Sequence, residues 1–193
     1  PKIADGSAIG ALAVDDGPRF QPERITFTAE QTGDGFRLNG TKYLVHEGMA
    51  ANVFVVAART AGAPTDADGI TLFLVPGDAA GIARTRRHMI DCRGYADVAF
   101  DHVSVGQGDV LGTVGKGRAC LDRVLDVTTA AVAAEAFGLA TQAFETTLEY
   151  LKVREQFGQR IGSFQALQHR AAKMFTDLQL ARPADVMYDP KDM

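Results

Sequence analysis

The stretch VREQFGQRIGSFQ, Val153 to Gln165, lies between two long helical patterns, and its reading decides how the chain is organised. It gathers Arg154, Arg160, Phe157, Phe164 and three glutamines around Gly158 and Gly162. A plain connector between helices needs only turn-forming residues. Guanidinium groups and aromatic rings placed together suit a flat, negatively charged ligand. The plainer reading, solvated loop arginines with two phenylalanines anchored in a core, fits the same composition.

Working outward, both flanks carry a helical period. Upstream, positions 121, 124, 125, 128, 132, 136, 139, 143 and 147 form an apolar or small stripe at three-to-four spacing, which predicts one helix from Arg118 to Arg154. Downstream, Phe164, Leu167, Ala171, Met174, Phe175, Leu178 and Ala181 predict a second helix from Phe164 to Arg182, with Ser163 placed to cap it. Two amphipathic helices joined by a short loop form an antiparallel pair. A pair covers only one stripe of each partner, so association with further helices is expected.

Before Gly112 the period is two. AIGALAV, ITFTAE, FRLNGTKYLV, VFVVAART, GITLFLV and ADVAFDHVSV read as strands separated by Gly, Pro and Asp. Asn39-Gly40 is the expected hairpin turn. With no helix between strands, an antiparallel barrel or sandwich is expected rather than a βαβ sheet. The fold class is therefore α+β: a β-domain over residues 1–112, two helices over 113–182, and a disordered tail over 183–193, where Pro183 stops the helix after Arg182.

Composition narrows the function. The chain has 193 residues, 46% of them apolar, and 20 basic residues against 24 acidic ones give a net charge of −4. That balance speaks against a broad grip on nucleic acid or membrane, and the longest apolar runs read as too interrupted to span a bilayer. Cys92 and Cys120 match no CxxC spacing, so a reduced cytoplasmic setting is the default. His46, His88, His102 and His169 are scattered without metal-ligand spacing, and GTVGKG, Gly112 to Gly117, misses the phosphate-loop pattern. Glu135 sits in the apolar run TTAAVAAEAFGLA and is expected to be partly buried. A carboxylate satisfied by a neighbouring helix is favoured there over a catalytic base.

YLKVREQFGQRIGSFQALQHRAAKM resembles the helix-loop-helix signature R-x-x-F-G-x-x-I-x-x-F-Q of the acyl-CoA dehydrogenases. FRLNGTKYLV, GITLFLV, ADVAFDHVSV and VLGTVGKG are similar to successive strands of that family's middle β-domain, in the same order. The resemblance spans about residues 5 to 182 and implies a middle β-domain plus the first two helices of a C-terminal four-helix domain. It implies an FAD flavoprotein, an oxidoreductase of lipid metabolism that desaturates an acyl-CoA thioester and works as an oligomer. Arg154 would meet the flavin pyrophosphate across a subunit interface, Phe157 the adenosine part, and Gln165 a point further along. Leu44, Val45 and His46 stand where the family lines the isoalloxazine with Trp-Ile-Thr, and Asp15 and Asp16 stand for its Thr-Glu pair. Thr128 occupies the position of one subgroup's catalytic Glu; Glu135, seven residues on, lies too far along the helix to replace it. Three readings follow: a dehydrogenase present as a partial chain, a half-site subunit of a heteromeric dehydrogenase, or a truncated association module.

Overall fold

A computed structural model describes residues 2–91 and 93–186. The chain divides into two compact units, the first running to Asp122 and the second from Arg123 onward.

The first unit is built on one eight-stranded sheet. Its strands are β1 (Gly10–Ala13), β2 (Thr28–Thr32), β3 (Gly35–Val45), β4 (Val53–Arg59), β5 (Ile70–Pro76), β6 (Ile82–Arg86), β7 (Ala96–Gly106) and β8 (Val110–Leu111). The main path runs β6-β7-β3-β2-β4-β5-β8, with β1 added beside β4. Most pairings are antiparallel, as expected, but β1 and β2 each meet β4 in parallel, so the sheet is mixed and no closed barrel forms. Its core is aromatic and aliphatic: Phe54, Val56, Phe73, Val75 and Val98 are wholly buried, and Phe100 stands edge-on to Phe27 at 5.3 Å. β6 carries only one inward aliphatic residue among arginines, and the alternation that marks the other strands misses it.

The expected hairpin at Asn39-Gly40 is corrected. β3 runs straight through that pair, and the chain reverses instead at Gly33-Asp34, between the paired Thr32 and Gly35. Gly33 supplies the positive φ that a two-residue turn demands. Gly40 is a glycine for another reason: a Cβ there would stand 2.8 Å from the Phe27 ring. It lies at a bulge in the β3–β7 ladder.

The second unit continues α1 (Arg118–Val153) and adds a small hairpin, β9 (Glu155–Gln156) with β10 (Gln159–Arg160), then α2 (Gln165–Val186). Phe144 and Phe175 meet at 6.3 Å between ring centres. Leu151 of α1 lies beside Gln168 of α2, while Phe137 lies beside Leu178, so the two helices run antiparallel.

The contact stripe on α1 differs from the expected one. Phe137, Thr141, Phe144, Leu148 and Leu151 face α2, whereas Val132 and Leu139 stay 57% and 66% exposed. At ~100° per residue the two stripes lie roughly a third of a turn apart, so α1 has two apolar faces and one of them is uncovered within the chain. Three further expectations change. Ser163 donates its hydroxyl to the Arg160 carbonyl at 2.7 Å and does not cap α2. The helix does not stop at Arg182 but runs through Pro183 to Val186. Of the expected tail, residues 187–193 lie outside the described residues. Finally, α1 is long and apolar enough by length and composition to cross a membrane, with mean hydropathy 1.4 over its most apolar window, contrary to the reading of interrupted runs. A helix made for the centre of a bundle meets the same criterion.

Candidate functional site

The loop between the two long helices is a displayed hairpin. Arg154 ends the α1 ladder, its N–H donating to the Tyr150 carbonyl at 2.9 Å, and its own carbonyl accepts the Ile161 N–H at 2.9 Å. The second of these bonds ties the loop's ends together. Between them β9 and β10 pair Glu155 with Arg160 and Gln156 with Gln159. The turn is Phe157-Gly158, with φ of 54° and 75°. Two positive φ angles in a two-residue loop are natural for Asn or Gly and strained for a bulky residue. Phe157 is nonetheless 91% exposed, its ring in an edge-on arrangement with that of Phe164 at 6.2 Å between centres. A strained aromatic held in water does not serve a core, and such outliers gather at binding sites. The Arg154 and Gln165 side chains are also exposed, and Arg154 makes no side-chain hydrogen bond or ion pair among the described residues.

The second set of expected residues lies in the β-unit, at the end of β3. Between the pairs Lys42–Val98 and Val45–Ala96 the ladder gains one extra residue on β3. Leu44 takes φ 49° within that bulge, and Glu47 follows with φ 55°. The Leu44 N–H leaves the ladder and donates to Asp97 Oδ1 at 3.1 Å. Asp97 in turn receives two bonds from the Arg87 guanidinium. Burial alone would raise the Asp97 carboxyl; the bonds from Arg87 and Leu44 and the Arg87 charge outweigh it and hold the group below its usual value. His46 is half-exposed and stands edge-on to Tyr95 at 5.1 Å. Val45 is 2% exposed and belongs to the core, so its side chain is not available to a ligand.

Below this turn lies a feature that motif reading missed. Lys42 is wholly buried, and its ammonium donates to Asp16 Oδ1 at 2.5 Å and to the Val14 carbonyl at 2.8 Å. Asp16 also accepts the Thr26 and Phe27 N–H groups. Burial pushes the Lys42 ammonium down to about 8, against the opposing pull of Asp16 and Asp15. Asp15 accepts the Gln21 N–H at 3.1 Å, and burial raises its carboxyl. Strand alternation gave the clue: Phe36, Leu38 and Lys42 share one parity in β3, and all three point inward.

Sequence patterns of known families fit both units. The pattern "Acyl-CoA dehydrogenase, middle domain" matches residues 15–103, and "Acyl-CoA dehydrogenase, C-terminal domain" matches residues 115–184. This chain belongs to the acyl-CoA dehydrogenase family. It is 33% identical over 185 residues to the short/branched chain specific acyl-CoA dehydrogenase of Bos taurus, covering 94% of this chain and 43% of that protein. It is 34% identical over 188 residues to the isovaleryl-CoA dehydrogenase of Pongo abelii, covering 94% of this chain and 44% of the relative. The crystal structure of an acyl-CoA dehydrogenase from Geobacillus kaustophilus superposes with a TM-score of 0.89 at 32% identity, over 96% of this chain and 50% of that one. The chain thus spans less than half the length of these two curated relatives.

Acyl-CoA dehydrogenases depend on FAD, and the two sets of residues differ in how well they suit it. On the hairpin, Arg154 offers a forked donor for phosphate oxygens, Phe157 a bare aromatic face and Gln165 an exposed amide, a donor set that fits the diphosphate and adenosine parts. On the β-unit, Leu44 offers apolar surface and His46 a ring nitrogen, while Val45 is turned away and Asp16 is taken up by Lys42 and the Thr26 and Phe27 N–H groups.

Neither helix position considered for the base is arranged as one. The Thr128 hydroxyl donates to the Val124 carbonyl at 2.8 Å, a bond within its own helix. Glu135, expected to be partly buried, is exposed. It lies about 180° round α1 from Phe144, on the side away from α2.

Proposed function

We propose that this chain is part of an FAD-dependent acyl-CoA dehydrogenase that introduces an α,β double bond into an acyl-CoA thioester. The observation that carries the reading is the hairpin Arg154–Gln165, on which Arg154, Phe157 and Gln165 are exposed and the Arg154 side chain makes no hydrogen bond or ion pair among the described residues. When bound, the flavin supplies the hydride acceptor for the step. The chain's residues hold and orient it: Arg154 neutralises phosphate oxygens through a planar fork, Phe157 covers the adenine, and Gln165 bonds further along. His46 and Leu44 border the ring system. No residue of this chain is assigned to the α-proton, because Thr128 is engaged by its own backbone and Glu135 lies roughly 10 Å along the helix from it.

A half-site role, in which the hairpin serves a flavin held mainly by a partner subunit, is favoured by two observations. Val45 faces the core, and Asp16 is bound to Lys42. Association through the uncovered α1 face, where Val132, Leu139 and Tyr150 are exposed, supplies such a partner. The cytoplasm is the proposed location.

The visible spectrum of the purified chain, followed by titration with FAD, tests these readings. A flavin band close to one equivalent, lost in Arg154→Ala, supports the full site. Flavin bound only after mixing with an intact acyl-CoA dehydrogenase subunit supports the half-site. No flavin under either condition overturns both.

A further inference from the structure

The bulge at Leu44 changes which side chains the β-unit shows to its surroundings. Along β3 the inward residues Phe36, Leu38 and Lys42 fall on even positions, and after the bulge the inward residue is Val45. A regular strand would bury Leu44 and expose Val45. With the extra residue, Val45 takes the buried position, Leu44 is only partly buried and the His46 side chain is half-exposed. The reversal needs Leu44 to hold a left-handed backbone, with φ 49°, which a leucine adopts only at a steric penalty. It also removes the Leu44 N–H from the ladder. A carboxylate answers the lost bond: Asp97, on the neighbouring strand β7, accepts that N–H at 3.1 Å and is itself oriented by Arg87. Only 8% of the Asp97 side chain is exposed, so water competes poorly for either bond.

We propose that Asp97 is a positioning residue: from β7 it holds the left-handed bulge at Leu44 and thereby sets the direction in which Leu44 and His46 meet a bound flavin. The inference rests on the reading of Leu44–His46 as a flavin-bordering turn. Asp97 touches neither flavin nor substrate and acts through the Leu44 amide. Arg87 is the second member of the clamp, since its fork keeps the carboxylate ionised and aimed. The left-handed glycine that such a bulge usually carries is replaced here by an external acceptor that pins a leucine in the same conformation.

Amide hydrogen exchange on the 193-residue chain, read at Leu44 and at Val56 in β4 as an internal control, tests the clamp. Asp97→Ala should speed exchange at Leu44 by about tenfold or more while leaving Val56 within about twofold, because a buried acceptor is lost locally. Asp97→Asn keeps an oxygen that can accept the N–H and should restore most of the protection.

Unchanged exchange at Leu44 in Asp97→Ala, or no recovery of protection in Asp97→Asn, overturns the clamp. A parallel titration with FAD, using whichever assembly binds it, tests the flavin half. Affinity should fall about tenfold in Asp97→Ala and recover in Asp97→Asn. Faster exchange with unaltered FAD affinity overturns the positioning role and faults the flavin-bordering turn. If no assembly binds FAD, the flavin half falls and the exchange data alone decide the clamp.

Discussion

Phe100 in the β-unit and Phe175 in the helical unit are the same side chain in opposite circumstances. Phe100 is 2% exposed and has two edge-on ring neighbours, Phe27 at 5.3 Å and Phe54 at 6.1 Å. Phe175 is 52% exposed and meets one tilted ring, Phe144 at 6.3 Å. The contrast extends to whole units. In the sheet, large aliphatic and aromatic residues are buried against one another, while Phe144 is the one buried hydrophobic residue of α1 and α2 beyond Asp122 among the described residues. The difference teaches where each unit's stability comes from. The sheet completes a core from its own strands; the helices, with Val132, Leu139 and Leu180 in the open, are apolar on faces that this chain does not cover.

The largest effect that sharpens this contrast is a truncation in each region. Phe100→Ala should lower the stability of the β-unit by about 3–5 kcal/mol, since it removes a ring from a packed cluster and leaves a cavity. Phe175→Ala should change stability by less than about 1 kcal/mol, because a half-exposed ring has less contact to lose. Urea unfolding monitored by circular dichroism, with amide exchange to assign each loss to its unit, makes the comparison. Equal losses would mean that the helices bury Phe175 in solution and that the contrast fails.

Next comes the ion pair beneath β3. Lys42→Met leaves Asp16 buried without its cation and should destabilise the β-unit by about 3–5 kcal/mol. The pH dependence is distinctive. The ordinary lysine value is 10.5 and the folded one is about 8, so between those limits the unfolded chain carries the proton and the folded chain does not. Stability contributed by this group therefore rises as pH rises from about 8 toward 10.5. Below pH 8 both states are protonated and the group adds no slope. A denaturation series across that window should show the rise in wild type and its absence in Lys42→Met. A flat wild-type profile would mean that Asp16 keeps the ammonium charged throughout.

How much of this was legible in the sequence differs between the regions for the same reason. The strands β3, β4, β5 and β7 stand where alternation puts them, and both helices stand where the period becomes 3.6, because those signals are local. The Asn39-Gly40 pair misled because what Gly40 answers is the Phe27 ring, thirteen positions away, a contact that no turn rule contains. The stripe on α1 was read about a third of a turn off because the helix has two apolar faces and sequence does not say which meets α2. In the candidate site, Arg154, Phe157 and Gln165 could be named from the family signature. Asp97 could not, since its task depends on a bulge in the strand beside it.

On the hairpin the expected effects are on binding rather than folding. Arg154→Ala should weaken FAD retention in an assembled complex by about 1.5–3 kcal/mol, the value of a charge-assisted bond, with little change in unfolding. Arg154→Lys should recover part of that, because an ammonium keeps the charge without the planar fork. Fluorescence titration of FAD against the three proteins measures it. Equal affinity in all three would leave Arg154 as a helix-end charge and would move the helical unit's role from ligand binding to association alone.

The smallest expected effect lies at Ser163. A serine placed before a helix usually satisfies an orphan N–H of the first turn, and its loss then costs about 0.5–2 kcal/mol. Here the hydroxyl points back, donating to the Arg160 carbonyl at 2.7 Å. The Leu167 and Gln168 N–H groups are taken by the Phe164 carbonyl at 3.0 and 3.1 Å, and the Gln168 side chain closes onto the Gly162 carbonyl at 2.9 Å. With the first turn served by a backbone oxygen, Ser163→Ala should change the helical unit's stability by no more than about 0.5 kcal/mol, typical of an exposed site away from any cap. Gln168→Ala, which removes the brace from α2 to the loop, should do at least as much. Helical signal at 222 nm against urea resolves the two. A loss of about 1 kcal/mol or more in Ser163→Ala would show that the hydroxyl caps α2 in solution, and that the junction between hairpin and helix is held by local chemistry after all.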